Sequence, residues 1–234
     1  MPDLTLSSGV WASDSRHTAG MPPSARPALT AALTAGLLLV GAAPAAPAAE
    51  VTSIPVSCSE GTVVIEWDDL TYDLDGTCGV VVIAADDTEV TIPAARTIVV
   101  RGEGNVVHAK PADRLRVLGS HQRVDVVSVR VLRVASPGSV VTVDGLAEEV
   151  SLGKRHADLR AGQVSELVVE GRGHEVRARR GFTVRVPGSH SSLGFRRLET
   201  VRVSGDDNTV RVRRGRTHVA DTGDRNTIRV HRRA

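Results

Sequence analysis

Val201-Arg-Val203-Ser-Gly205-Asp-Asp-Asn208-Thr-Val210-Arg-Val212 matches in pattern, position by position, Val81-Val-Ile83-Ala-Ala85-Asp-Asp-Thr88-Glu-Val90-Thr-Ile92. Each phrase holds an aliphatic pair with one residue between, a small residue, a polar turn and a second aliphatic pair. More than a hundred residues separate the two, and a pattern that survives that distance marks a repeat architecture. Extending the register outward gives one anchor residue per coil: Trp67, Ala85, Gly102, Gly119, Ser136, Lys154, Gly171, Gly188, Gly205 and Gly223, always 17 or 18 residues apart.

The register predicts inward residues four and two before each anchor, and five and seven after it. The first set runs from Val63/Ile65 through Leu115/Val117, Leu132/Val134 and Val150/Leu152 to Val219/Asp221. The second runs from Tyr72/Leu74 through Val124/Val126 and Leu193/Phe195 to Ile228/Val230. Only Asp221 breaks the apolar rule. Alternation with period two in β-branched residues reads as strand. Ten residues after the anchor, Ala95, Ala112, Val129, Leu146, Val164, Gly181, Leu198 and Gly215 suggest a short third inward side. No such coil can bury its apolar face alone, so coils must stack. The expected fold is all-β: a single-stranded parallel β-helix, or β-solenoid, of either hand, with about ten coils in a rod roughly 45–50 Å long.

The anchor glycines read as turn positions with positive φ. Three residues on stand Asn105, Gln122, Ser139, His174, Ser191, Asn208 and Asn226, expected to form a stacked polar ladder at that corner. The competing reading, a functional site made of His174 and these Asn residues, has less to support it.

The run Ser57-Cys58, Gly61-Thr-Val-Val-Ile65 and Tyr72-Asp-Leu74-Asp-Gly76-Thr-Cys78-Gly79, followed by Gly102-Glu-Gly-Asn105-Val and further Gly-x-x-Asn-x-Val units, resembles the domain-of-unknown-function family numbered 3060. The resemblance covers residues 57 to about 230. It implies a secreted or envelope protein, mostly found in actinobacteria, with a Cys pair ahead of the repeats. It implies no activity and transfers no site residues. The middle coils depart from the pattern, where Lys154 replaces Gly and Ala157 replaces Asn.

Residues 1–49 read as leader and signal peptide. Arg26, the apolar Leu37-Leu38-Leu39-Val40 and the small residues before Ala48 or Ala49 supply the three expected regions. Met21 is the better start, which makes residues 1–20 an over-extended gene model or a disordered leader. A permanent anchor is the weaker reading, because a span needs about 20 apolar residues, and no membrane span is expected after cleavage. The mature part divides into an N-terminal cap, 50–62, and the solenoid, 63–234. Export permits a disulfide between Cys58 and Cys78, the chain's only cysteines. The expected location is secreted or in the cell envelope.

Aromatic residues are only 2% of the chain, so regular aliphatic stacking has to supply the core volume. Charge is placed unevenly: residues 50–100 carry ten acids and one base, whereas 101–234 carry 15 acids and 26 bases. That asymmetry points to a polyanion or an oppositely charged partner. Asp68-Asp69, Asp86-Asp87 and Asp206-Asp207 fall at equivalent turn positions. A β-helix enzyme acting on carbohydrate needs two carboxyls about 5–9.5 Å apart flanking one bond, and it needs a concave site. Coils this short have no inserted loop to wall one. The histidines lack metal-ligand spacing, and no nucleophile elbow, phosphate loop, calcium nonapeptide or flat Thr ladder is present. No catalytic, cofactor or metal residues, and no small-molecule substrate, are therefore assigned.

The remaining signal is arginine. Arg179-Arg180, Arg196-Arg197 and Arg213-Arg214 lie eight and nine after their anchors at 17-residue intervals, so they should stack along one edge. They are the candidate polyanion-binding residues, with an anionic cell-wall polymer the expected partner. Nucleic acid is disfavoured because stacking aromatics are scarce: the last coils hold only Phe182 and Phe195. The plainer alternative is a charged edge that prevents strand pairing. An acidic first end and a basic last end also allow end-to-end self-association. On sequence alone the chain reads as an exported non-enzymatic structural or interaction protein of the envelope, with polyanion binding as the alternative and a β-helix carbohydrate-active enzyme third.

Overall fold

The computed structural model describes residues 53–59 and 61–231. The leader and signal peptide assigned to residues 1–49 lie outside them. The described chain is an all-β parallel solenoid of about ten turns without a helix, and its sixteen strands form one continuous hydrogen-bonded sheet. Val117 pairs with Val134, and Val134 with Leu152, in consecutive layers. Residues 17 or 18 apart in sequence are thus touching neighbours.

The predicted inward positions are buried, apart from half-buried Val63 and Ala161 and the four of the last coil. Fully burying one such aliphatic side chain stabilises by roughly 1.5–3 kcal/mol, and every layer repeats that gain. In the last coil Ile228 and Val230 are half-buried, and Val219 and Asp221 are exposed; no described residue stacks on it from beyond. Among the described residues the buried aromatic rings are Tyr72 and Phe195. Phe195 sits over Ala178 and takes the room left at Gly181, where a Cβ would come within 3.0 Å of the ring.

The third side follows the sequence with two corrections: Gly215, assigned to it, is exposed in a bend with positive φ, and Leu146 is displaced. The sequence assigns Leu146 to it, but Leu146 is half-buried while Ala147 is fully buried and pairs with Val129 and Val164. The register shifts between Val143 and Leu146. The extra residue of this 18-residue coil bulges out at the corner and moves the inward position by one. The first 18-residue coil behaves likewise: buried Cys78 heads the column and pairs with Ala95. Pro93 and Pro111 lie in the gaps between Glu89–Ile92 and Ala95–Val100, and between Val106–Ala109 and Ala112–Val117. Proline lacks the N–H that would continue the ladder. Val140–Leu152, Asp158–Val169, Glu175–Val186 and Ser192–Val203 have no proline at the equivalent corner and each run round it as one bent strand.

The anchors need a different explanation from the one the sequence suggests. Among them only Lys154 and Gly171 have positive φ. What the other anchor glycines need is closeness between coils. A Cβ at Gly119 would lie 1.7 Å from the Gly102 carbonyl oxygen, and one at Gly205 would lie 1.9 Å from that of Gly188. The left-handed position is two residues later in every coil, at Asp69, Asp87, Gly104, His121, Gly138, His156, Gly173, His190, Asp207 and Arg225. Asp and His are among the residues that tolerate it best.

Within the stretch assigned to a cap, Ile54–Ser59 is itself a parallel strand paired with Tyr72 to Thr77. The disulfide is present: Cys58 is bonded to Cys78, with Cα atoms 4.9 Å apart. It ties that first strand to the third side of the next coil.

Candidate functional site

Two side-chain ladders run through the turns after the anchors, and they run in opposite directions. Three after the anchor, Asn and Ser oxygens accept the backbone N–H of the preceding coil's equivalent residue, Asn105 from Thr88 at 2.9 Å, Ser139 from Gln122 at 2.9 Å, Asn208 from Ser191 at 3.0 Å and Asn226 from Asn208 at 2.8 Å, whereas the Gln122 Oε1 has no partner among the described residues. The amides of Asn105, Asn208 and Asn226 donate in turn to the anchor carbonyls of Ala85, Gly188 and Gly205. One after the anchor, Asp68 accepts the N–H of Asp86, Asp86 that of Glu103, and Asp206 that of Asp224. The stacked Asp carboxylates are therefore bonded to backbone, as turn residues, and do not face one another across a cleft.

His174 belongs to the first ladder. It is buried, and its Nδ1 accepts the N–H of Ala157 at 3.2 Å. Burial, reinforced by neighbouring His156, holds its pKa below the usual histidine range. The ring is thus neutral with the proton on Nε2, which has no partner. In the last turn Arg225 clamps Asp207 with Nε and Nη2 at 2.6 and 2.7 Å, which lowers the Asp207 pKa and holds Arg225 in its left-handed turn. No group of three or more His, Cys, Asp and Glu that could hold a metal occurs among the described residues.

The arginines are arranged differently. Arg180 pairs with Arg197, and Arg197 with Arg214, in adjacent strands, and all six candidate arginines are exposed. A further column runs parallel to them six residues after the anchors: Arg160 pairs with Arg177, Arg177 with Gly194, Gly194 with Arg211, and Arg211 with Arg229. The same 17- or 18-residue interval would have revealed it. Between the columns lies an open groove of about 560 Å³, lined by Arg177, Arg179, Arg196, Arg211 and Arg213, with Asp144 at its far end. Arg160 is paired with Asp158, and Arg177 with Glu175. Among the described residues no carboxylate lies within ion-pair distance of the six candidate arginines or of Arg211.

No curated protein and no solved structure matches the chain. The strands Glu175–Val186 and Ser192–Val203, which carry Arg179, Arg180, Arg196 and Arg197, lie inside a family match that the Cys pair does not reach. Residues 169–225 match the model of the family described as Protein of unknown function (DUF3060).

Proposed function

We propose that the chain is an exported, non-enzymatic envelope protein that binds a linear anionic polymer, of the kind found in cell walls, along its C-terminal arginine face. One observation carries the reading: three stacked layers of adjacent arginines without a carboxylate partner among the described residues. Like charges directly opposite each other on neighbouring strands destabilise a sheet, and the layers are only about 4.8 Å apart. A polyanion lying along the rod relieves that repulsion at every layer. Arginine forks also match carboxylate and phosphate groups well. Export is supported by the signal-like N-terminus and by a disulfide, a bond that persists in oxidising compartments. The backbone-bonded turn Asp residues favour a binding role over hydrolysis.

The test is binding of the purified chain to an anionic wall-polymer fraction at low and high salt. Binding should weaken steeply with salt and be lost when Arg179, Arg180, Arg196, Arg197, Arg213 and Arg214 are all changed to Ser. Undiminished binding by that variant rejects the reading. The rival reading, a charged edge that prevents strand pairing, predicts no binding and aggregation of the same variant.

A further inference from the structure

Gly194 is the one position in its column between Arg177 and Arg211 that lacks a side chain, and the fold does not require glycine there. Its φ is not left-handed, and an added Cβ would meet nothing nearer than the Val176 carbonyl oxygen at 3.8 Å. Gly162, on the same groove, is the contrast: a Cβ there would lie 2.3 Å from the Asp144 carbonyl oxygen. Glycine inside a strand weakens it, so Gly194 has a cost that the packing does not explain. What it creates is a gap in the outward face. Arg177 and Arg211 flank the gap along the rod, Arg196 follows on the same face of the same strand, and Arg179 and Arg213 stand on the diagonals. On the other flank the gap is bordered by Ser192, Thr209 and Glu175, the last already paired with Arg177.

We infer that the gap at Gly194 is a seat for a phosphate group of the bound polymer, and that it makes the arginine face prefer phosphate polymers over carboxylate ones. This rests on the polymer-binding reading above. A carboxylate offers two oxygens in one plane and is satisfied by a single guanidinium fork. A tetrahedral phosphate offers oxygens in several directions, and here donors converge from above, below and beside. Removing one side chain lets the group sink between the forks.

The experiment compares Gly194→Thr with the unaltered chain, using long-chain inorganic polyphosphate and polygalacturonate at matched charge and ionic strength. Thr suits an exposed strand position, so the thermal midpoint should stay level or rise. The unaltered chain should bind polyphosphate more tightly. Gly194→Thr should weaken that binding about tenfold, the loss of roughly one charge-assisted hydrogen bond, and leave polygalacturonate unchanged. Gly194→Ala, which adds one methyl group, should follow in smaller degree. Equal affinity of the unaltered chain for both polymers, or an unchanged preference in Gly194→Thr, overturns the seat while polymer binding stands. Binding of neither polymer by the unaltered chain overturns polymer binding itself, and the seat with it.

Discussion

In the coil anchored at Ala85, Val81, Ile83, Val90 and Ile92 turn inward and the turn and flank present Asp86, Asp87 and Glu89. In the coil anchored at Gly205, Val201, Val203, Val210 and Val212 turn inward and the outer face presents Arg202, Arg211, Arg213 and Arg214. Their interiors are nearly interchangeable and both turns carry an Asp pair, Asp86-Asp87 and Asp206-Asp207, but the strand that follows presents Glu89 and Thr91 in the first and Arg211 and Arg213 in the second. A strand alternates its faces residue by residue, so the column that builds the rod leaves the outward column free to vary. The Asp turns close ladders onto backbone N–H groups of neighbouring coils, whereas the stacked Arg forks end in solvent. The two ends also differ in how they are secured. The first is tied by Cys58–Cys78 and the last by the Arg225–Asp207 clamp.

If interior and exterior are separable, changes to each should register in different measurements. The largest loss of stability should come from Phe195→Ala, about 3–5 kcal/mol by urea unfolding, because Ala178 and Gly181 leave nothing to fill the space. Replacing Cys58 and Cys78 with Ser should cost about 3 kcal/mol, from the loop-closure entropy of a 20-residue separation, and the loss should fall on the first coils. Asn208→Ala strands the Ser191 N–H and the Gly188 carbonyl. It should cost roughly 1–3 kcal/mol, visible as faster amide exchange at Ser191.

A smaller effect should follow pH. His174 resists protonation when folded, whereas the unfolded imidazole takes a proton near its ordinary value of 6.5. The unfolded state then binds more protons, so stability should fall as pH drops below about 6.5. His174→Ser should flatten that part of the urea-midpoint profile. An unchanged slope would mean that the ring is protonated in place.

The stack was legible because its period is nearly constant and because aliphatic residues fill so many equivalent positions. The corners were less so. Glycine at the anchor suggests a left-handed turn, but its cause is the carbonyl of the next coil, a contact that only stacking creates. The left-handed column itself is filled largely by Asp and His, whose polarity disguises the backbone they adopt. Leu146 was misplaced because an 18-residue coil does not announce where its extra residue bulges. Arg179 to Arg214 could be read because they come in adjacent pairs. The column of Arg177 and Arg211 was hidden by Gly194, which interrupts the run of arginines at that strand position.

The separability of core and surface is tested most directly by the salt dependence of polyphosphate binding in the chain with all six candidate arginines changed to Ser. The unaltered chain should show a steep fall in affinity from 50 to 200 mM salt, as expected when phosphate contacts release counterions. Relieved of the repulsion between stacked arginines, the variant should melt at the same temperature or higher, with its binding weak and nearly independent of salt. A variant that unfolds, or one that binds with the original slope, would contradict the account.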